Sequence, residues 1–381
     1  MNANQYDVII AGAGPVGLFL GLCLDRLGLS FVILEKRRIP SKHSRSIGLH
    51  PPSLELFDKI NLSNQLIEQG ICIKKGHAFQ DHHTKLGTLD FSLCPKPHQY
   101  ILSLPQNLTE AIMEKALPGE HPVIRDAEIT GFDQDDDGME VCFKDSHNQP
   151  SRMTASYLVG CDGKNSIVRE KANIVFHGKT YPYHYAMGDF DDHTDFCNQA
   201  IIYLSQEGLV ESFPLPDNKR RWVAELPVGF DGNLDTFVHI LAFRTGHKPD
   251  IKSNSMFSAF TAEHYQAAGM HSGRVFLAGD SAHLLSPIGG QGMNLGWMDA
   301  WQLAHALKDA NLTSNNDRDI FKVWEKHRTR CSQQAVKRAE FNMTLGQKND
   351  YPRLRNIAVK NLLRFPFNRL LVKRFTMRGL S

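Results

Sequence analysis

The sequence predicts an α/β protein: a nucleotide-binding domain assembled from separated pieces of chain, interleaved with a mainly β domain and followed by a helical C-terminus. Three observations predict it. A short apolar run, residues 8–11, enters the turn Gly12, Ala13, Gly14, Pro15, Val16, Gly17, and an apolar helix pattern leaves it. Short runs with partly alternating apolar and polar residues cluster between residues 183 and 226. From about residue 317 onward the pattern reads as helices.

The first unit is Rossmann-like. Gly12 permits the tight turn, Gly14 lets backbone amides approach a phosphate, and Gly17 lets helix and strand pack. Leu18, Phe19, Leu22, Leu24 and Leu27 mark the helix, whose positive end faces that phosphate. A second apolar strand, residues 31–34, ends in Glu35 and Lys36. An acid about 20 residues beyond the first glycine is where an adenosine ribose is hydrogen-bonded. NAD and FAD both remain open on this unit alone.

Residues 1–75, 100–175 and 270–310 are expected to build the nucleotide-binding domain, and residues 76–99 and 176–269 the substrate domain. Within the latter, strands are expected at 183–190, 200–204, 209–215 and 221–226, and helices at 235–243 and 256–268. Residues 311–381 form the C-terminal helices. Late in the chain an apolar strand, residues 274–278, ends in Gly279 and Asp280. A carboxylate there suits hydrogen bonds to a polyol. Pro287, Gly289, Gly290 and Gly292 offer bare backbone against which a flat ring can lie. The helix pattern from Met293 and Asn294 onward directs its amide end at the same loop.

With 381 residues the chain exceeds one ordinary core. Its 41% hydrophobic and 22% charged content are those of a globular protein in water. No segment approaches the ~18 uninterrupted apolar residues of a membrane helix. Residues 1–5 carry no basic region, so a secretory signal is not expected. Seven scattered cysteines without a Cys-x-x-Cys pair read as reduced thiols, and a cytoplasmic protein is expected. At a net charge of +2 a nucleic-acid partner is not expected.

The glycine turn is joined by two further motifs. Mid-chain stand Asp162 and Gly163, followed by Ser166 and Arg169; late stand Gly279 and Asp280. In this order and spacing the chain resembles the class A flavoprotein aromatic hydroxylases, the para-hydroxybenzoate hydroxylase-like monooxygenases, from residue 6 to about residue 330. The resemblance implies noncovalently held FAD, NAD(P)H as a transient co-substrate, and O2. It carries Arg45, within residues 44–49, to the pyrophosphate and Gln106 to the ribityl chain. Asp162 and Asp280 go to the cofactor, and Pro287, Gly290, Gly292, Met293 and Asn294 to the flavin edge. The implied reaction delivers the distal oxygen of a flavin C4a-hydroperoxide to an aromatic or quinone-like small molecule. Phe213 and Trp222 are expected as pocket walls, and no acid–base pair stands out. An epoxidase or prenyl-chain reductase of the same superfamily is the alternative, then a non-catalytic binding protein.

Other patterns are read as structural. Residues 133–138 match the first half of a calcium loop, but Lys144 stands where the closing Glu belongs, so an acidic hairpin turn is expected. His77, Asp81, His82 and His83 lack helical ligand spacing and read as exposed histidines, and no metal site is expected. Asp280, Ser281 and His283 do not form a Gly-x-Ser-x-Gly elbow, which excludes that type of hydrolase. Residues 352–381 hold eight basic residues and no acid. Leu354, Ile357, Ala358, Leu362 and Phe365 recur at helical spacing, as do Phe367, Leu370, Leu371 and Phe375. A helix packed on the acidic body is the favoured reading; peripheral contact with an anionic membrane surface is the other.

Overall fold

The computed structural model describes residues 5–41, 44–119, 123–136, 138–312, 317–347 and 351–380. Residues 1–4, Asp137 and Ser381, which enter the sequence reading, lie outside them.

An eight-stranded sheet carries the glycine turn. Its parallel core runs in the order Val275–Leu277, Pro150–Gly160, Gln5–Ala11, Phe31–Glu35, Val123–Arg125. Val8, Ile9, Ile10 and residues 31–34 are all buried, because both faces of a parallel sheet are covered. Helices Pro15–Arg26 and Gly292–Leu312 pack against each other over one face, with Trp297 donating to the Pro15 carbonyl at 2.9 Å. Register then decides where chemistry gathers. Ala11 pairs with Gly160 on one side and Leu34 on the other, and Gly160 pairs with Leu277. The residues that follow, Gly12, Glu35, Asp162 and Asp280, therefore emerge side by side at one carboxyl edge, the usual ligand position in such sheets. Glu128–Gln134 and Met139–Lys144 form a hairpin beside this core, closed by Asp135 N–H to the Gly138 carbonyl at 3.1 Å, so Asp135 and Asp136 sit in its turn while Asp133 lies in the first strand.

A second eight-stranded sheet has the order His283–Leu284, Met256–Ala267, Phe176–Asp191, Lys219–Glu225, Gly208–Leu215, Ala200–Ser205, Lys75–Phe79, Lys85–Asp90. The helix expected at 235–243 is Leu234–Thr245; it packs Phe237, Val238 and Leu241 against Phe190 and Trp222 and ends at Gly246 with φ 74°. The helix expected at 256–268 is instead the strand Met256–Ala267, paired along its length with Phe176–Asp191. Phe257 packs into the cluster on one face and Phe260 with Ala262 into the cluster on the other. Apolar residues on both faces mimic a helical period, while the aromatic and β-branched content favours a strand. A small sheet of Gly48–Leu49, Ile101–Ser103 and Ile71–Ile73 lies beside them.

The C-terminal part is helical: Asp317–Gly346, Pro352–Leu362 and Phe367–Phe375. The basic tail packs on the body. Val359, Leu371 and Val372 are buried, Arg355 is buried with its guanidinium on the Leu204 and Ser205 carbonyls, and Arg378 pairs with Glu55 at 2.6 Å. Among the described residues no helix is long and apolar enough to cross a membrane.

Candidate active site

Along the shared carboxyl edge runs a cleft of about 1310 Å³. Gly12, Gly14, Glu35, Lys36, Arg45, Gln106, Asp162, Asp280, Pro287, Gly290, Gly292 and Met293 all line it. Gly17 and Asn294 do not. A side chain at Gly17 would collide with the Gly12 carbonyl, so this glycine serves helix–strand packing. Asn294 is fully buried and its amide is consumed by protein: it accepts from His50 N–H at 2.8 Å and donates to the Gly48 carbonyl at 2.8 Å and the Gly290 carbonyl at 2.9 Å. It clamps the glycine loop rather than facing the cleft.

The turn itself separates packing from access. Gly12 has φ 99°, and a Cβ there would lie 2.7 Å from the Cys161 carbonyl oxygen. A Cβ at Gly14 would meet nothing within 4 Å. Open space thus lies beside Gly14, at the start of a helix that has Pro15 in its first turn and no side-chain cap. Glu35 accepts from the Ala13 amide at 2.8 Å and from Arg37 N–H and Nε at 2.8 and 3.0 Å. Burial alone would raise its carboxyl, but the Arg37 and Ala13 hydrogen bonds hold it below the usual value.

The mid-chain and late motifs are knitted together. Ser166 caps the helix Ile167–Lys171 through the Arg169 amide at 2.9 Å. Arg169 donates to the Ser281 carbonyl at 2.9 Å and the Lys164 carbonyl at 2.8 Å, and lies 3.8 Å over the Phe176 ring. The Ser281 hydroxyl donates to the Gly160 carbonyl at 2.6 Å. Two carboxyl groups are left toward the cleft. Asp162 Oδ2 accepts from the Val168 amide at 3.2 Å, while Oδ1 is buried without a partner. Asp280 is exposed to the cleft, and no described residue hydrogen-bonds its carboxyl. Burial raises both carboxyls, opposed at Asp162 by Ser166 and backbone amides and at Asp280 by His283. Such groups call for hydroxyl donors. A ligand carrying phosphates, polyol hydroxyls and a flat ring, as FAD does, fits this set.

Two buried ion networks behind the cleft escaped sequence reading. Asp299, His283 and Arg328 are each 0% exposed. Asp299 accepts from His283 Nε2 at 2.5 Å, from Arg328 Nε at 2.6 Å and from the Gly279 amide at 3.3 Å, so it fixes the turn that presents Asp280. Burial works against its charge, yet His283 and Arg328 hold its carboxyl below the usual range. Its signal was an acid inside the apolar run from Trp297 to Ala300. In the second network, Arg221 grips both Asp189 oxygens at 2.7 Å and donates to the Arg45 and Ser44 carbonyls at 2.7 and 2.8 Å. The Ser44 hydroxyl accepts from the Gln106 amide at 2.6 Å. These bonds hold the segment that carries the exposed Arg45 against the cleft.

A second, apolar cavity of about 220 Å³ adjoins the cleft. The two share Arg45, Ser46, Phe260, Pro287 and Gly290 in their walls. Sheet residues including Ile202 and Val223 form one side, and Leu362, Leu363, Leu371 and Phe375 of the tail cover another. Phe213 lines this cavity. Trp222 does not: it follows Arg221, so strand alternation turns it to the other face, 2% exposed and packed with Phe196 and His247. His82 and His83 are exposed as expected, but His77 is half-buried, faces the cavity, and is held by Thr88 at 2.9 Å and by Gln199.

A family profile for an FAD binding domain matches residues 5–339. An uncharacterized aromatic compound monooxygenase of Bacillus subtilis is 32% identical over 318 residues, taking in 80% of this chain and 62% of that protein. Rifampicin monooxygenase of Streptomyces venezuelae is 30% identical over 323 residues, taking in 80% of this chain and 64% of its own. This chain thus matches less than two thirds of either relative's length. The crystal structure of p-nitrophenol 4-monooxygenase from Pseudomonas putida superposes with a TM-score of 0.89, covering 98% of this chain and 99% of that one at 20% identity, a likeness of fold. By the extent of the family match, the chain belongs to the FAD-binding family of the class A flavoprotein aromatic monooxygenases.

Proposed function

We propose that this protein is an FAD-dependent, NAD(P)H-using monooxygenase that hydroxylates a small aromatic or quinone-like molecule with O2. The observation that carries the reading is the junction of the polar cleft with the apolar cavity, walled in common by Pro287 and Gly290 at the amide end of Gly292–Leu312. The likeness to an aromatic compound monooxygenase and to a rifampicin monooxygenase supports it. Residues 1–75, 100–175 and 270–310 would form the FAD-binding domain, and residues 76–99 and 176–269 the substrate domain, with residues 311–381 closing the cavity.

FAD, when bound, accepts hydride and activates oxygen. The chain's own residues bind, orient and exclude water. Glu35 would hold the adenosine ribose, the amides beside Gly14 and the Arg45 guanidinium the pyrophosphate, and Asp280 the ribityl hydroxyls, all of them residues that line the cleft. The N-terminal amides of Gly292–Leu312 favour negative charge at the glycine loop. The apolar cavity keeps the reacting ring dry. Its volume of about 220 Å³ exceeds the roughly 150 Å³ that suffices for benzene, which suits one substituted ring.

The purified protein is expected to carry a flavin spectrum and to oxidise NAD(P)H slowly alone. A fitting single-ring aromatic, by completing the closed site, should accelerate that oxidation by on the order of tenfold or more. Fast oxidation indifferent to every aromatic, yielding only hydrogen peroxide, would contradict the reading.

A further inference from the structure

Glu211 is the only carboxyl group among the described residues that line the apolar cavity. It stands on Gly208–Leu215, opposite Ile202 and Val223 in register, and is 8% exposed. No described donor or cation contacts it. The other titratable groups facing the cavity are committed or distant in role. Arg221 is spent on Asp189 and the Ser44 and Arg45 carbonyls, His77 on Thr88 and Gln199, and Arg45 stands at the rim. His50 lies at the glycine loop, its burial pushing it down to about 4. The Tyr185 hydroxyl, from Phe176–Asp191, is buried without a partner, and its ionisation is opposed by burial and by Glu225 and Glu211. The tail contributes only apolar side chains, among them Val359, Leu362 and Phe375.

An unpartnered buried carboxyl destabilises a fold, so packing gives no reason for it. A ligand does. We propose that Glu211 is a catalytic residue that binds the hydroxyl of an otherwise uncharged aromatic substrate, takes its proton, and turns away aromatic carboxylic acids. The inference rests on the hydroxylase reading above and names its substrate class. In the step, the substrate O–H bond breaks, its electron pair stays on the ring oxygen, and the proton forms an O–H bond on the Glu211 carboxylate. The resulting phenolate ring is richer in electrons toward oxygen transfer. The carboxyl returns the proton to the same oxygen as product leaves. Burial pushes Glu211 up to about 7, where a proton acceptor operates efficiently near neutral pH. A substrate carboxylate would meet this carboxyl with no uncommitted cation among the described residues of the cavity apart from Arg45 at its rim.

The test compares holoenzyme and the Glu211→Gln variant, which keeps shape and removes charge. Probes are 4-methylphenol, its methyl ether 4-methylanisole, and 4-methylbenzoate, with binding read from perturbation of the flavin spectrum. Wild type should bind the phenol on the order of tenfold or more tighter than the ether and ignore the benzoate. The variant should lose the phenol preference, and its turnover should fall on the order of 100-fold and lose the pH limb near 7. Stability offers an independent readout. Folded wild type holds more protons than the unfolded chain between pH 4.5 and about 7, so stability present below that window is lost as pH rises through it. The variant should lose this slope and be at least as stable above it. Equal phenol preference in both proteins, or a variant that unfolds, overturns the assignment. Glu211-dependent phenol binding without any hydroxylated product would leave the binding role standing and sink the hydroxylase reading instead.

Discussion

Replacing Arg328 by methionine is expected to destabilise the protein by about 3–5 kcal/mol, the loss typical when one partner of a buried ion pair is removed. Arg328 supplies Asp299 with its 2.6 Å hydrogen bond and ties the Leu380 and Leu295 carbonyls to the same point at 3.1 and 3.4 Å. Methionine fills similar space but leaves Asp299 charged among groups that exclude water, with His283 alone to offset it. Because Asp299 also accepts from the Gly279 amide, the turn presenting Asp280 should loosen and FAD retention should fall with stability. Denaturant unfolding of the holo-protein reads the first effect and flavin occupancy after gel filtration the second. Arg328→Lys, which keeps charge but not the planar fork, should fall between. A loss under about 1 kcal/mol in Arg328→Met would mean that the network is not load-sharing in this way.

Arg221→Met should show a similar loss with a different signature. Asp189 would be left buried without its two 2.7 Å bonds, which again costs about 3–5 kcal/mol. The Ser44 and Arg45 carbonyls would also lose their anchor, so the segment carrying Arg45 becomes free to leave the cleft. Adding Asp189→Asn removes the stranded charge. The double variant should regain much of the stability while still holding FAD weakly, because nothing restores the anchor. If FAD retention recovers together with stability, Arg221 serves folding and does not position the Arg45 segment. Double-mutant analysis suits the pair because the residues are in direct contact.

What could be read in the chain was local. The glycine turn, Glu35 at the end of the second strand and the Asp280 strand end each follow from a few neighbouring residues, and parallel register brings their ends to one edge. What escaped depended on the partner across space. Strand parity decides that Arg221 and Val223 face the cavity while Trp222 faces the helix, and one residue of register reverses the outcome. Met256–Ala267 is apolar on both faces, so periodicity alone favoured a helix. The resemblance carries Asn294 to the flavin edge along with Gly292 and Met293, but its place in the first turn of the helix points its side chain at Gly48 and His50. Glu211 carries no motif at all. Its distinction is the absence of a partner, which only the assembled sheet and tail reveal.

The most direct test of the central claim is oxygen accounting. Purified protein, NAD(P)H and a single-ring hydroxyaromatic are incubated under isotopically labelled O2, and product mass is measured. The account predicts a product heavier than its substrate by one labelled oxygen atom, formed only when protein, NAD(P)H and O2 are all present. A product that takes its oxygen from water, a reduced product without new oxygen, or NAD(P)H consumed wholly into labelled hydrogen peroxide across the panel would contradict it.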